Sequence, residues 1–496
     1  MDFGQYLQRE IECACGRKHR IDCKYIFIED GALARLPDVI AEGGFRRLLL
    51  IADENTHAAI DRISDESGSD TFDGSDGIND GSISAILQKS GFIQLANTVV
   101  SGDGYPNCLD DSEEAMSPHG ESVSCEEINN GRYFYSVTLS SKTLLPDEEG
   151  IGGIVTAMLP GCDVIVAIGS GTLNDMCRFV SYKLGIPYII VATAPSMDGY
   201  TSHVCAMITN RVKTTYYTHV PFAVIGDLGV LAAAPKELIA AGVGDVLGKY
   251  ISLVEWQIAH LITDEYYCPF VASIVREALE KTRAAVSRLG KEDSSPTAIT
   301  VLMEALVLSG MAMTMADTSR PASGSEHHLA HYWEMQALLT GAPAALHGAK
   351  VGVATLIILH LYQQVAAGEI NLTQTRHRRF DEATYIQEIK VAYGSAAEAV
   401  IALERESQKN SDTAVTARID CLKEHHDEIM TLISALPTAD EISALLTAVG
   451  ASLTISDINV SDELLTDSLR YAKEQRVRYG LLQMLYDCGW GKIEKV

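Results

Sequence analysis

The sequence predicts an α/β half built on a parallel sheet, followed by an all-α half. Three observations carry this expectation. Strand and helix patterns alternate up to about residue 205. Val164–Ile168 is a bare apolar run of the kind buried on both faces of a parallel sheet. Beyond about residue 206 the strand signal fades and helical periodicity takes over. The expected division is 1–205 and 206–496, with a cleft between the two parts to hold a ligand. A chain of 496 residues has ample material for two such cores.

In chain order, the first notable segment is Cys13, Cys15, His19 and Cys23. Cys-x-Cys-x3-His-x3-Cys is not a standard zinc spacing, and Arg17, Lys18 and Arg20 crowd it. Incidental cysteines in a strand region are the preferred reading, beside a metal site. Tyr25–Ile28 and Leu48–Ala52 are strand candidates. Asp53 stands where an acid often receives a ribose hydroxyl in dinucleotide folds, or is simply a solvated turn acid. Polar Ser-, Gly- and Asp-rich stretches at 64–84 and 102–130 look like surface insertions, within a region near 60–135. Tyr133–Leu139 is expected as an edge strand.

Gly169-Ser170-Gly171 follows the Val164–Ile168 strand. Thr172 suits an N-cap, with Asp175 at capping-box spacing. Leu173, Met176, Val180 and Leu184 make a helical stripe that Gly185 and Pro187 stop, and Ile189–Val191 resumes as a parallel strand. Small residues at a strand-to-helix turn let backbone N–H groups and the helix dipole meet a phosphate. Asn174 stands where a third glycine would complete the dinucleotide fingerprint, so pattern alone leaves a bland tight turn as open as a phosphate site.

The second half carries helical patterns over Lys236–Ile262, Val271–Leu289, Thr297–Met315, His347–Ala367, Tyr385–Arg405, Ala414–Leu436, Asp440–Ala448 and Asp462–Tyr486. Val351–Tyr362 reads as a buried helix, and no uncharged run of about 20 apolar residues predicts a membrane span. Within this half, Asp245 sits among small apolar residues, which is costly unless it is paired or metal-bound. His327 and His331 share a helix face, as do His328 and His331. His347 opens an apolar helix. One carboxylate and two imidazoles suit a divalent metal with open positions. A structural role for each histidine is the alternative.

The net charge of −27 argues against nucleic acid or an anionic membrane as partners. The N-terminus lacks signal-peptide features, and eleven cysteines without a regular framework suggest a reducing cytosol.

GSGTLND followed by TAPSMDGYTS closely resembles the sn-glycerol-1-phosphate dehydrogenase family, including its bacterial members. That family belongs with glycerol dehydrogenases, iron-type alcohol dehydrogenases and dehydroquinate synthases. The resemblance is strongest over about 160–255 and 315–355 and returns near the C-terminus. It implies a Rossmann-like domain plus an all-α domain, in the dehydroquinate synthase-like arrangement. It implies a divalent metal (zinc, nickel or iron) on Asp245, His327 and His347, with the double histidine leaving His328 open. Gly169, Ser170, Gly171 and Thr172 would line the pyrophosphate of NAD or NADP, with Thr193 and Ser202 near the nicotinamide and its ribose. Asp198 would face substrate, or cap a turn. For substrate phosphate, Lys213 ranks ahead of Arg320, Lys249 and Lys350. The implied reaction is reversible reduction of dihydroxyacetone phosphate to sn-glycerol 1-phosphate by a cytoplasmic homodimer without membrane insertion. The alternatives are a glycerol or other alcohol dehydrogenase on the same scaffold, or a non-catalytic binding protein.

Overall fold

Alternation of side chains along strands explains the first half of the computed structural model. That model describes residues 2–61, 82–100, 114–116, 122–124, 131–140, 144–209, 212–289, 296–372 and 379–490. Most of the expected polar insertions, and part of the connection at 371–379, lie outside the described residues. Val164, Val166 and Ile168 enter one apolar core, while Ile165 and Ala167 enter the other. Such a strand is buried on both faces, as a run without polar alternation requires.

Among the described residues, seven parallel strands form the main sheet. Their order is Tyr25–Glu29, Ala223–Asp227, Tyr188–Ala192, Val164–Gly169, Arg47–Asp53, Tyr133–Leu139 and Ile93–Val100. The chain winds outward in opposite directions from the Arg47–Asp53 and Val164–Gly169 pair. Ligands of open α/β sheets bind at the carboxyl ends of strands beside such a reversal. Asp53 and Gly169 both stand there.

Two expectations about strands need correction, and one strand was not expected. Tyr133–Leu139 is interior, because Ile93–Val100 pairs outside it. Ile93–Val100 has Gln94 and Asn97 in its run and a register shift between them, so its alternation is broken. Strand structure also runs past the expected 205/206 division. Val204–Thr209 and Val212–Tyr217 form an antiparallel hairpin, and Ala223–Asp227 enters the sheet interior. Helices then run from Leu228 onward.

Two further departures fall at glycines. The single helix expected over Lys236–Ile262 is two, Lys236–Leu247 and Lys249–Thr263, meeting at Gly248. The Tyr385–Arg405 pattern breaks at Gly394, whose φ of 50° continues neither helix.

Pro296–Ala316, His347–Ala366 and His426–Ala448 are long and apolar enough to cross a membrane, against the expectation of no such segment. The first is largely buried within this fold. Its near-continuous apolar surface reflects packing on all sides. The third is split around Pro437 into His426–Ser434 and Ala439–Ala448.

Candidate metal centre and cofactor cleft

Close helix packing assembles the site. A Cβ on Gly348 would lie 1.9 Å from the Ala241 carbonyl oxygen, and one on Gly244 would lie 2.4 Å from the Gly348 carbonyl oxygen. Only glycine lets the Lys236–Leu247 and His347–Ala366 helices touch backbone to backbone. That contact carries Asp245 toward His347. The Ser325–Thr340 helix brings His327 to the same place. One ligand atom from each of Asp245, His327 and His347 lies within 4.8 Å of the others.

His328 takes no part in this group. Its ring is buried, with the charges of Arg478, Arg476, Arg320 and Lys409 acting on it. Burial first, and then these cations, hold it well below the ordinary imidazole value. His331 lies beside the group with Glu334, and the two bond at 3.0 Å.

The outer nitrogens of the two candidate ligands are already committed. His327 Nδ1 lies 2.8 Å from Glu326 Oε1, and His347 Nδ1 lies 2.8 Å from Glu334 Oε1. A carboxylate on Nδ1 fixes the tautomer and leaves Nε2 as the donor atom, the usual support of a metal-bound histidine. The donor set therefore fits a divalent ion of borderline character.

Lys249 is the chief residue that sequence reading undervalued. It was a minor phosphate candidate; the structure instead places its ammonium between two carboxylates. Nζ lies 2.7 Å from Asp245 Oδ1 and 2.7 Å from Asp198 Oδ2. Burial pushes its pKa down, but Asp198 and Asp245 outweigh this and hold it above the ordinary value. Burial likewise pushes Asp245 up, and Lys249 with the two imidazoles brings it well below the usual carboxylate range. The only advance signal was i,i+4 spacing between Asp245 and Lys249.

Asp198 lies in the loop that joins this group to the sheet. Its N–H donates to Asp245 Oδ2 at 3.1 Å, and Ser309 donates to its Oδ2 at 2.9 Å. Met197, beside it, packs where a Cβ on Gly171 would come within 3.2 Å. Thr193 is buried and donates its N–H to the Gly169 carbonyl at 3.1 Å. Ser202 is buried on the same loop, and its Oγ accepts from Val204 N–H at 3.2 Å. One loop thus starts hydrogen-bonded to the glycine turn at Thr193 and reaches the carboxylates at Asp198.

At that turn the helix spans Gly171–Leu184 with Ser170 as N-cap, not Thr172. Ser170 makes no side-chain capping bond, so the first-turn N–H groups are not satisfied that way. Asp175 is drawn instead to Arg178, at 3.1 Å, and to Ala206 N–H, at 3.2 Å. Gly169 is required by packing, because an added Cβ would lie 2.4 Å from Leu173 Cδ1. Gly169→Ala is expected to cost about 1–3 kcal/mol, read by denaturant unfolding. Unchanged stability would contradict the close approach.

Asp53 accepts from Thr56 N–H at 2.7 Å, so it caps the helix Glu54–Asp61. Among the four cations considered for phosphate, Lys249, Arg320 and Lys350 have side chains at most 5% exposed. Arg320 grips Glu265 with Nε and Nη2, a structural role. Lys350 lies 3.0 Å from Glu334. Lys213, 25% exposed, also pairs with Glu334. Thr215 shares its strand face and accepts from Arg476 Nη2 at 3.1 Å, adding a cation that sequence reading left unnamed.

Comparison with known proteins gives consistent matches. Residues 135–235 match the model of the iron-containing alcohol dehydrogenase family. The chain is 31% identical to a glycerol-1-phosphate dehydrogenase [NAD(P)+] of Halalkalibacterium halodurans, over 96% of this chain and 95% of that one. It is 32% identical to the enzyme so named from Geobacillus stearothermophilus, over 96% and 95%. An archaeal halo-thermophilic alcohol dehydrogenase from a Red Sea brine pool shares the fold at TM-score 0.55 and 13% identity, over 97% of this chain and 100% of that one. The NADH-dependent butanol dehydrogenase A of Thermotoga maritima gives 0.53 and 13%, over 94% and 96%.

Proposed function

Because the chain belongs to the glycerol-1-phosphate dehydrogenase family, we propose that it reduces dihydroxyacetone phosphate to sn-glycerol 1-phosphate with NADH or NADPH, reversibly and with a divalent metal. The observation that carries this reading is the gathering of Asp245, His327 and His347 beside a loop whose first residue, Thr193, is hydrogen-bonded to the glycine turn and whose Asp198 bonds to Asp245. That arrangement supports a nucleotide on the sheet side and a metal on the helical side of one cleft.

When bound, the metal supplies Lewis-acid polarisation of the C2 carbonyl and the nicotinamide supplies hydride. The chain supplies placement and charge. Asp245, His327 and His347 would hold the ion, with Glu326 and Glu334 orienting the imidazoles. Lys249 balances Asp245 and fixes Asp198, so that Asp198 faces the substrate in one orientation. Gly169, Ser170, Gly171 and Thr172 would receive the pyrophosphate on backbone N–H groups of the turn. Thr193 and Ser202, buried on the following loop, would border the nicotinamide and its ribose. Lys213 would meet the substrate phosphate. Its exposure favours it over its three buried rivals, and Arg476 stands on the same strand face. Asp53 stands at the ribose end of the cleft, and its capping bond leaves Oδ2 for a hydroxyl. We place the working enzyme in the cytoplasm, as a homodimer with no membrane insertion.

The test is oxidation of NADH and of NADPH by metal-loaded protein on dihydroxyacetone phosphate and on dihydroxyacetone, with and without chelator. Chelator-sensitive turnover that demands the phosphate, and a product of the sn-1 configuration, are expected. Turnover confined to the unphosphorylated ketone would make the protein a glycerol dehydrogenase and sink the proposal.

A further inference from the structure

The N-terminal cysteine motif is not absorbed by the active site, and the fold completes it with a residue far away in the chain. Ile11–Glu12 pairs with Lys18–His19 in a short antiparallel hairpin, whose turn at Gly16 takes a φ of 83°. Cys13 and Cys15 sit in that turn and His19 on its return strand. Cys23, the fourth residue of the sequence cluster, points elsewhere and donates to the Tyr25 carbonyl. Its place is taken by Cys268, 249 residues beyond His19, just before the helix Pro269–Leu289.

The four side chains converge. Cys13 Sγ lies 3.6 Å from Cys268 Sγ, and His19 Nε2 lies 3.4 Å from both Cys15 Sγ and Cys268 Sγ. All four donor atoms lie within 4.8 Å of one another. Ligands on one tetrahedral zinc, at the usual zinc–sulfur and zinc–nitrogen lengths, stand about 3.5–3.8 Å apart. A disulfide would need the sulfurs at about 2 Å, so Cys13 and Cys268 are not bonded to each other.

The surroundings also suit an ion. His19 is fully buried, and its Nδ1 lies 2.7 Å from the Met315 carbonyl oxygen. A carbonyl only accepts, so Nδ1 carries the proton and Nε2 presents its lone pair to the three sulfurs. That is the support a metal-bound histidine receives. Val271 N–H donates to Cys268 Sγ at 3.5 Å, and Cys15 Sγ lies 3.2 Å from the Tyr266 hydroxyl. The Arg17 guanidinium stacks 3.5 Å over the ring of Tyr266, whose hydroxyl meets Cys15.

We propose that Cys13, Cys15, His19 and Cys268 form a second metal site, which takes zinc and staples the N-terminal hairpin to the helical half. Three sulfurs and one imidazole are a soft set that selects zinc over the hard divalent ions. Four protein ligands leave no open position for water or substrate, so the site is structural. It is separate from the Asp245 group, which contains no sulfur.

Cobalt substitution of the intact protein tests this. A sulfur-to-cobalt charge-transfer band reports only the cysteine site, because Asp245, His327 and His347 cannot produce one. The band is expected in the wild type, together with a second equivalent of tightly held metal per chain. Cys15→Ser should remove the band and one equivalent of zinc, and lower the unfolding temperature. Should Cys15→Ser fail to fold, His19→Cys serves instead: it should keep the zinc and shift the cobalt spectrum toward a four-sulfur site. Wild-type protein with no thiolate–cobalt band would overturn the proposal. So would a Cys13–Cys268 disulfide found by mass spectrometry of a non-reduced digest.

Discussion

Replacing His347 with alanine is expected to cut turnover of dihydroxyacetone phosphate by about a thousandfold, equivalent to roughly 4 kcal/mol of transition-state stabilisation. The fold should barely respond. His347 opens its helix, and its side chain is 29% exposed, so truncation leaves no closed cavity. What is lost is one of three donors and the hydrogen bond that Glu334 makes to it. The metal held by Asp245 should dissociate more readily, while the zinc proposed at Cys13, Cys15, His19 and Cys268 should remain. Steady-state kinetics, metal analysis and an unfolding curve on one preparation check this. A variant that keeps full turnover and full metal content would remove His347 from the ligand set. A variant that loses activity only because it unfolds would leave the role of His347 without support.

The second large effect concerns stability. Arg178→Met is expected to lower the unfolding free energy by about 3–5 kcal/mol, the usual result of removing one partner from a buried ionic network. Arg178 has no exposed side-chain surface. It donates to the Val204 carbonyl at 2.7 Å, to the Tyr200 carbonyl at 3.2 Å, and to the Gly199 carbonyl. It also donates to the Tyr188 hydroxyl at 2.8 Å and pairs with Asp175. Methionine fills much of the volume and satisfies none of these acceptors. Because Gly199 and Tyr200 belong to the loop that carries Asp198, and Val204 opens the strand that follows it, the affinity for substrate should fall as well. Arg178→Lys should rescue poorly, since a single ammonium cannot reproduce the planar fork. Urea unfolding monitored by circular dichroism decides the matter, and a loss below about 1 kcal/mol would show that water or repacking replaces the network.

Much of the scaffold was legible because local rules and the global fold agree. Val164–Ile168 had no polar alternation, so it had to lie inside a two-sided sheet. Gly185 ended its helix because it alone accepts a φ of 69° without strain. The helices of the second half matched their apolar periodicity except at four breaks: at Gly248, at Gly394, at His425 within Ala414–Leu436, and over 472–480 within Asp462–Tyr486. Ile93–Val100 was missed because Gln94 and Asn97 disguised its pattern. Ala223–Asp227 was missed because it follows a hairpin and lies in a stretch read as helical.

Chemistry was legible only as residue types. The run of motifs around Asp245, His327 and His347, and the wording of the glycine turn, were enough to name a family and a ligand set. The resemblance put His327 ahead of His328, but spacing could not separate them, since both precede His331 on one helix; the direction of each ring depends on what the helix packs against. Sequence could not show that Lys249 stands between Asp198 and Asp245, because Asp198 lies in another part of the chain. It also grouped Cys23 with Cys13, Cys15 and His19, where the fold supplies Cys268. What the chain determined by itself was periodicity, capping and the identity of the donor atoms, all of which act over a few residues. What only the tertiary structure decided was which donors meet. That depends on helices brought into backbone contact at Gly244 and Gly348, and on a hairpin laid against Met315 and Cys268, and no spacing within a segment records such contacts.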